Sequence, residues 1–165
     1  MGQHVLLLLR HAKAESYVPG AHDDQRPLSE TGRRQAVEVG ELLCDTTVDH
    51  VLCSPSTRTR ETLDGLGLQC PVDYRDEIYN AGSDTILAAL TGVPEDVRTV
   101  LVVGHAPGVP ALAHDLVDAA TSDAEALAQL ETGYPPATLT RLELDGTWAD
   151  LASARARLTM ARVRR

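Results

Sequence analysis

Near its start the chain runs "HVLLLLRHAKAES", in which Leu6 to Leu9 pass without a spacer into Arg10 and His11. So apolar a stretch admits three placements: a secretory signal, a membrane span or a buried strand. From Val5 to Leu9 it has five residues, whereas a signal core needs about 7–15 and a span about 20. No basic residue stands in the Met1-Gly2-Gln3-His4 segment ahead of it, and no small-residue cleavage pattern follows. The placement that fits is a central strand of a parallel sheet, whose two faces are both covered by helices and therefore both apolar.

The rest of the chain alternates in the same sense. After a polar loop, "ESYVPGAHDDQRP", a helical pattern runs from Ser29, a plausible N-cap, to Cys44, with Ala36, Val37, Val39, Leu42 and Leu43 on one face. "DHVLCS" reads as a second strand. "SPSTRTRETLDGLG" reads as a helix capped by Ser54, with Pro55 at its first position and Gly65 or Gly67 at its end. "VDYR" is a weaker third strand, Ser83 to Leu90 a short helix, and "RTVLVVG" the clearest later strand, followed by a turn into the helix of "HAPGVPALAHDLVD". A helix over Asp123 to Glu131 precedes "ATLTRLELDGTWADL", read as a strand, an Asp145-Gly146 turn and a returning segment. This pattern predicts a single domain over residues 1–165 of the α/β class: a three-layer α/β/α sandwich around a mostly parallel central sheet, with the last strand pair antiparallel at an edge.

Composition narrows the functional classes. At 43% hydrophobic and 24% charged residues the chain is ordinary globular protein. A formal charge of −9 argues against nucleic acid or an anionic membrane as partner, since those require a basic face. Cys44, Cys53 and Cys70 form no C-x-x-C pair, so neither a disulfide framework nor a thiolate zinc site is expected, and the compartment expected is a reducing cytoplasm. The six histidines show no H-x-x-x-H or H-E-x-x-H spacing, and neither metal nor cofactor is expected.

In open α/β sheets ligands bind beyond the carboxyl ends of the strands. The first strand is followed by Arg10-His11, the second by Ser54-Pro55 with Arg58 one turn on, and "TVLVVG" by His105. Taken singly, such a histidine is usually satisfied by a backbone carbonyl and such an arginine by water. Gathered at one crevice, two arginines and two histidines are unfavourable company unless an anion joins them, and the guanidinium fork matches a phosphoryl group.

Several phosphate chemistries are excluded. No G-x-x-x-x-G-K-[ST] loop is present, which removes P-loop nucleotide chemistry. Cys53 stands one residue short of the C-x-x-x-x-x-R spacing to Arg58, so it reads as a core cysteine. No G-x-S-x-G exists for a serine hydrolase. The nucleophile left is a histidine, kept unprotonated by neighbouring arginines.

In these residues the chain resembles the histidine phosphatase superfamily, and within it the SixA-type phosphohistidine phosphatase group. The similarity runs through "LLLLRHAKAE", "DDQRPLSETGRRQA", "VLCSPSTRTRET" and "VLVVGHAPGV" to about Leu144, with Ala12 where most members have glycine. The resemblance implies His11 as nucleophile, with Arg10, Arg58 and His105 binding the phosphoryl oxygens and Arg26 helping to close the pocket. Ser54 and Pro55 are read as structural, Arg60 as pointing elsewhere on its helix, and His4, His22, His50 and His114 as lying outside the motifs.

Wider-family members carry a general-acid glutamate after the third strand. The corresponding stretch here is "EIYNAG", with Asn80 at the acid's place and Glu77 near it. A phosphorylated imidazole needs little acid help, because its leaving group has a conjugate-acid pKa of about 6.5. The reading is therefore a metal-independent phosphatase acting on phosphohistidine of a partner protein. The alternatives are a small-molecule phosphomonoesterase using Glu77, and a phosphate-sensing module without turnover. The stretch 116–136 is the one long enough to act as a lid, and reads first as a solvated helix.

Overall fold

The computed structural model describes residues 3–163, and it resolves why the leucine run is apolar on both sides. Side chains alternate across a strand. In β1 (His4–Arg10) Leu6 and Leu8 enter one core, while Leu7 and Leu9 enter the other. All four are fully buried.

The sheet around β1 has six strands: β2 (His50–Cys53), β3 (Val72–Tyr74), β4 (Thr99–Gly104), β5 (Leu139–Leu144) and β6 (Arg157–Arg162) join it in the order β3-β2-β4-β1-β5-β6. β1, β2, β3 and β4 are parallel, and β5 runs antiparallel to both β1 and β6. The antiparallel edge read from the sequence is thus present and reaches one strand further inward, to the β1–β5 pair.

Helices α1 (Glu30–Leu42) and α2 (Thr57–Leu66) supply the core of one face, with Ala36, Val39 and Leu63 packed on Leu7 and Leu9. Helices α3 (Ser83–Thr91), α4 (Gly108–Leu116) and α5 (Ala124–Glu131) cover the other, with Ile86, Leu112 and Leu130 in the core of Leu6 and Leu8. This is the three-layer α/β/α sandwich. Among the described residues no helix is long and apolar enough to cross a membrane.

Three local expectations change. The cap of α2 is Ser56, whose side chain accepts from the Thr59 N–H, so the helix starts at Thr57 and neither Ser54 nor Pro55 belongs to its first turn. The hydroxyl of Ser54 is engaged elsewhere, as described below. Gly67 ends α2 in the left-handed region at φ 68°, where a glycine carries no Cβ penalty. The return after β5 is not a tight turn: residues 145–156 bring Trp148 and Leu151 down into the core before β6 begins. Trp148 is fixed there by its indole N–H donating to the Val97 carbonyl (2.7 Å) and its backbone N–H donating to Glu95.

Segment 116–136 is packed onto the sheet through α5, and near its end the Tyr134 carbonyl accepts a hydrogen bond from Arg10. Ala126 and Leu130 of α5 are buried in the core, and the Asp123 N–H donates to the Leu158 carbonyl of β6.

Candidate active site

The backbone carrying the two residues after the leucine run is held on three sides. The His11 N–H donates to the Gly104 carbonyl of β4 (2.9 Å), extending the parallel ladder one residue. The Ala12 N–H donates to Thr62 Oγ1 (3.0 Å), whose own hydroxyl donates to the Arg58 carbonyl (2.7 Å). From the other side the Ala137 N–H is shared between the Arg10 and His11 carbonyls (3.1 and 3.0 Å), with Ala137 itself buried at φ 65°. Ala12 is not in that left-handed region, and its methyl packs in the core with Leu28 and Ala36, so nothing at this position calls for glycine.

His11 Nδ1 lies 2.7 Å from the Ala12 carbonyl. A carbonyl only accepts, so Nδ1 carries the hydrogen and the lone pair is left on Nε2. Burial, reinforced by the charges of Arg58, Arg10 and Arg26 against the opposing Ala12 hydrogen bond, pushes its pKa down to about 4. The side chain is therefore a neutral imidazole with a free basic nitrogen near pH 7.

The sequence-predicted partners converge on it. The His105 ring is 5.3 Å from that of His11, and its pKa is pushed down to about 3, first by burial and then by Arg58. Arg10 donates through Nη1 to the Tyr134 carbonyl (2.8 Å). Arg58 is buried on the first turn of α2, and Arg26 comes from the loop between β1 and α1. That loop is closed at its base by Ser29, whose hydroxyl donates to the Lys13 carbonyl (3.0 Å), and Arg26 Nη1 donates to the Glu15 carbonyl (3.2 Å).

Three further residues belong to the cluster: Asp23 and Tyr79, which the strand-end rule missed, and Ser54, which that rule reached and which was read as a cap. Asp23 accepts from Arg58 Nη2 (3.0 Å), Arg26 Nη2 (3.2 Å) and the Tyr79 hydroxyl (2.6 Å), and its carbonyl accepts from Arg58 Nη1 (2.8 Å). The Tyr79 hydrogen bond and the two arginine charges outweigh burial and hold its carboxyl down at about 2. Tyr79 stands edge-on to His105 at 5.4 Å, under the Arg58 guanidinium. Ser54, read from the sequence as a cap, is fully buried with Oγ 2.8 Å from His105 Nε2. The acidic pair in "HDDQR", just ahead of Arg26, was the available signal for Asp23. Tyr79 had none, and for Ser54 the signal was its place directly after β2.

Other candidates fall away from the cluster. Asn80 is exposed at φ 55°, and Glu77 is held by Arg75 (3.1 Å) with about half its side chain exposed. Arg60 points elsewhere, its guanidinium 3.9 Å over the Tyr74 ring. Burial pushes the Cys53 thiol up to about 12, which leaves it protonated and inert. Among the described residues no group of three or more His, Cys, Asp or Glu side chains is placed to hold a metal ion.

The hydrogen-bond accounting shows what is missing from this cluster. Among the described residues, the buried side-chain atoms without a partner are Nε of Arg10, Arg26 and Arg58, Nδ1 of His105 and Oγ1 of Thr138, so four of the five belong here. Buried polar groups are nearly always satisfied. Three buried guanidinium N–H groups without an acceptor are a donor set that an anion with several oxygens would satisfy, beside an open cavity of about 590 Å³ bounded by Asp23, Asp76 and Tyr79.

Fold and site together define an α/β phosphoryl-handling protein with a histidine at its centre. The chain belongs to the histidine phosphatase superfamily: residues 6–82 match the family model described as histidine phosphatase superfamily (branch 1). Its activity class is that of a phosphatase. It is similar to a structure from Nakamurella multipartitia provisionally named phosphohistidine phosphatase SixA, at 41% identity and TM-score 0.88 over 99% of this chain and 97% of that one. A second protein so named, from Agrobacterium tumefaciens, is 30% identical with TM-score 0.82, covering 98% of each chain. An uncharacterized protein of Mycobacterium tuberculosis is 37% identical over 145 residues, 87% of this chain and 91% of its own length.

Proposed function

We propose that the protein removes the phosphoryl group from phosphohistidine on a partner protein, through a phosphohistidine intermediate at His11. The observation that carries this is the His11 geometry: Nδ1–H committed to the Ala12 carbonyl, Nε2 free, and the ring neutral among three arginines. In the first step Nε2 attacks phosphorus in line, the P–N bond of the substrate breaks, and the departing imidazole takes its proton from solvent. Water then attacks phosphorus on His11, releasing inorganic phosphate and restoring the neutral imidazole. Arg10, Arg58 and Arg26 bind the phosphoryl oxygens in both steps, and His105 adds a further polar contact.

The phosphoramidate part of the reading rests on the acid position. The side chain that the 76–80 stretch sends toward the cluster is the Tyr79 phenol, whose pKa is raised, first by its hydrogen bond to Asp23. A phenol so held is a poor proton donor to an alkoxide, whereas an imidazole leaving group hardly needs one. The SixA names borne by the Nakamurella and Agrobacterium relatives agree with this choice.

The test is a substrate panel run with a chelator present: a phosphohistidine protein, a small phosphoramidate, an aryl phosphate and sugar phosphates. Phosphoramidates are expected to turn over fastest. Rapid quench should trap an acid-labile, alkali-stable phosphoryl group that His11→Ala abolishes. Label that survives this substitution sinks the mechanism, and sugar phosphate turnover lost in Glu77→Gln assigns the acid role to Glu77 and an ester to the site.

A further inference from the structure

We propose that Ser54 is a positioning residue that fixes the tautomer of His105, donating its hydroxyl hydrogen to Nε2 so that His105 presents an N–H at Nδ1 to the phosphoryl oxygens. This deepens the reading above and rests on it for the identity of the ligand.

The assignment follows from counting donors. Ser54 Oγ accepts the Ser56 N–H (3.4 Å) and has His105 Nε2 at 2.8 Å. If Nε2 carried the hydrogen, two donors would point at Oγ and the hydroxyl's own hydrogen would have no acceptor among the described residues. Ser54 has no exposed surface, and a buried hydroxyl is rarely left without an acceptor. With the hydroxyl donating to Nε2, the only hydrogen left over in this corner is the one on the ring, where a bound oxygen can accept it. The hydrogen of the neutral ring then sits on Nδ1, the buried atom left without a partner.

The consequence is chemical. A lone pair on Nδ1 would repel a phosphoryl oxygen, and an N–H would bind it. In the empty pocket burial and the Arg58 charge hold the His105 pKa down at about 3, so near pH 7 the site does not gain its donor at Nδ1 by protonating the ring. It has to come from the tautomer, and β2 supplies the group that selects it. The residue directly after the strand thus serves the ring that follows β4, across the β2–β4 pairing of Cys53 with Val103.

The test is the nitrogen spectrum of His105 in the wild-type protein labelled with ¹⁵N-histidine, at pH 7 without ligand and with vanadate. A protonated Nδ1 and an unprotonated Nε2 are expected, with a shift at Nδ1 on adding vanadate. Protonation at Nε2 overturns the proposal whatever the enzyme turns out to hydrolyse, and vanadate bound with no change at Nδ1 overturns the contact. In Ser54→Ala the ring should lose its single tautomer, and kcat for the best substrate of the panel should fall on the order of 10²-fold with KM little changed. Ser54→Cys, which keeps a weak donor of similar size, should recover part of kcat. Folded Ser54→Ala with full kcat overturns the role.

Discussion

Neutralising Asp23 should make the pocket hold anions more tightly. Arg10, Arg26 and Arg58 bring three positive charges and Asp23 one negative, so Asp23→Asn moves the local sum from +2 to +3 while leaving oxygens for Arg58 and Tyr79. Inhibition by inorganic phosphate should strengthen several-fold, an effect that added salt weakens. An unchanged inhibition constant would mean that the carboxylate lies outside the field the anion feels. At this scale the sequence was legible where a residue directly follows a strand: Arg10, His11, Arg58 and His105 needed only the strand ends and one helical turn. Asp23 and Tyr79 were not legible, because a 3₁₀ turn in each loop (Asp23–Gln25, Asp76–Ile78) decides which side chain faces inward. In the second case that turn aims Tyr79 at the cluster and leaves Asn80, the expected acid position, exposed. Ser54 was misread because two serines precede α2 and propensity does not say which one caps.

Among the elements, α4 is one that a glycine allows to pack directly on neighbouring backbone. A Cβ on Gly108 would lie 2.2 Å from the Ala81 carbonyl, so α4 approaches the 3₁₀ turn and α3 as closely as a glycine allows. Gly108→Ala should destabilise the protein by about 1–3 kcal/mol, read from chemical denaturation, because backbone and not a flexible side chain blocks the added methyl. The same variant should lower kcat, since α4 begins three residues after His105. Leu8→Ala leaves a hole in the α3–α4–α5 face alone and should cost about 2–5 kcal/mol. Strands and helices were read in the right order from periodicity and glycine, serine and proline signals. The long return between β5 and β6 was not, because Asp145-Gly146 looks locally like a hairpin turn and the demand that keeps it open is the burial of Trp148 and Leu151.

For the molecule as a whole, the two pocket histidines tie stability to pH. In the unfolded chain each takes up a proton as pH falls through about 6.5, but in the folded protein only near 4 for His11 and 3 for His105. Between those limits the unfolded state binds more protons, so stability should fall as pH drops from about 6.5 toward 4. Asp23 acts in a lower window: its stabilising contribution is present above about 3.8 and is lost as pH falls toward 2. Calorimetry in phosphate-free buffer should show Tm declining across pH 6.5–4, and His105→Gln should flatten part of that decline. An equal slope in the variant would show that His105 takes up its proton alike in both states.

β1 is made before either of its neighbours: its partners on the two sides are β4 and β5, with Leu9 pairing with Val103 and Leu139. At roughly 5–20 residues per second a ribosome needs on the order of ten seconds to travel from one to the other. For that interval Leu6–Leu9 is an unpaired apolar strand on a nascent chain, a natural target for a holding chaperone. His11 cannot be seated by both flanking strands until β5 has been made, so a chain cut short before β5 has no assembled pocket.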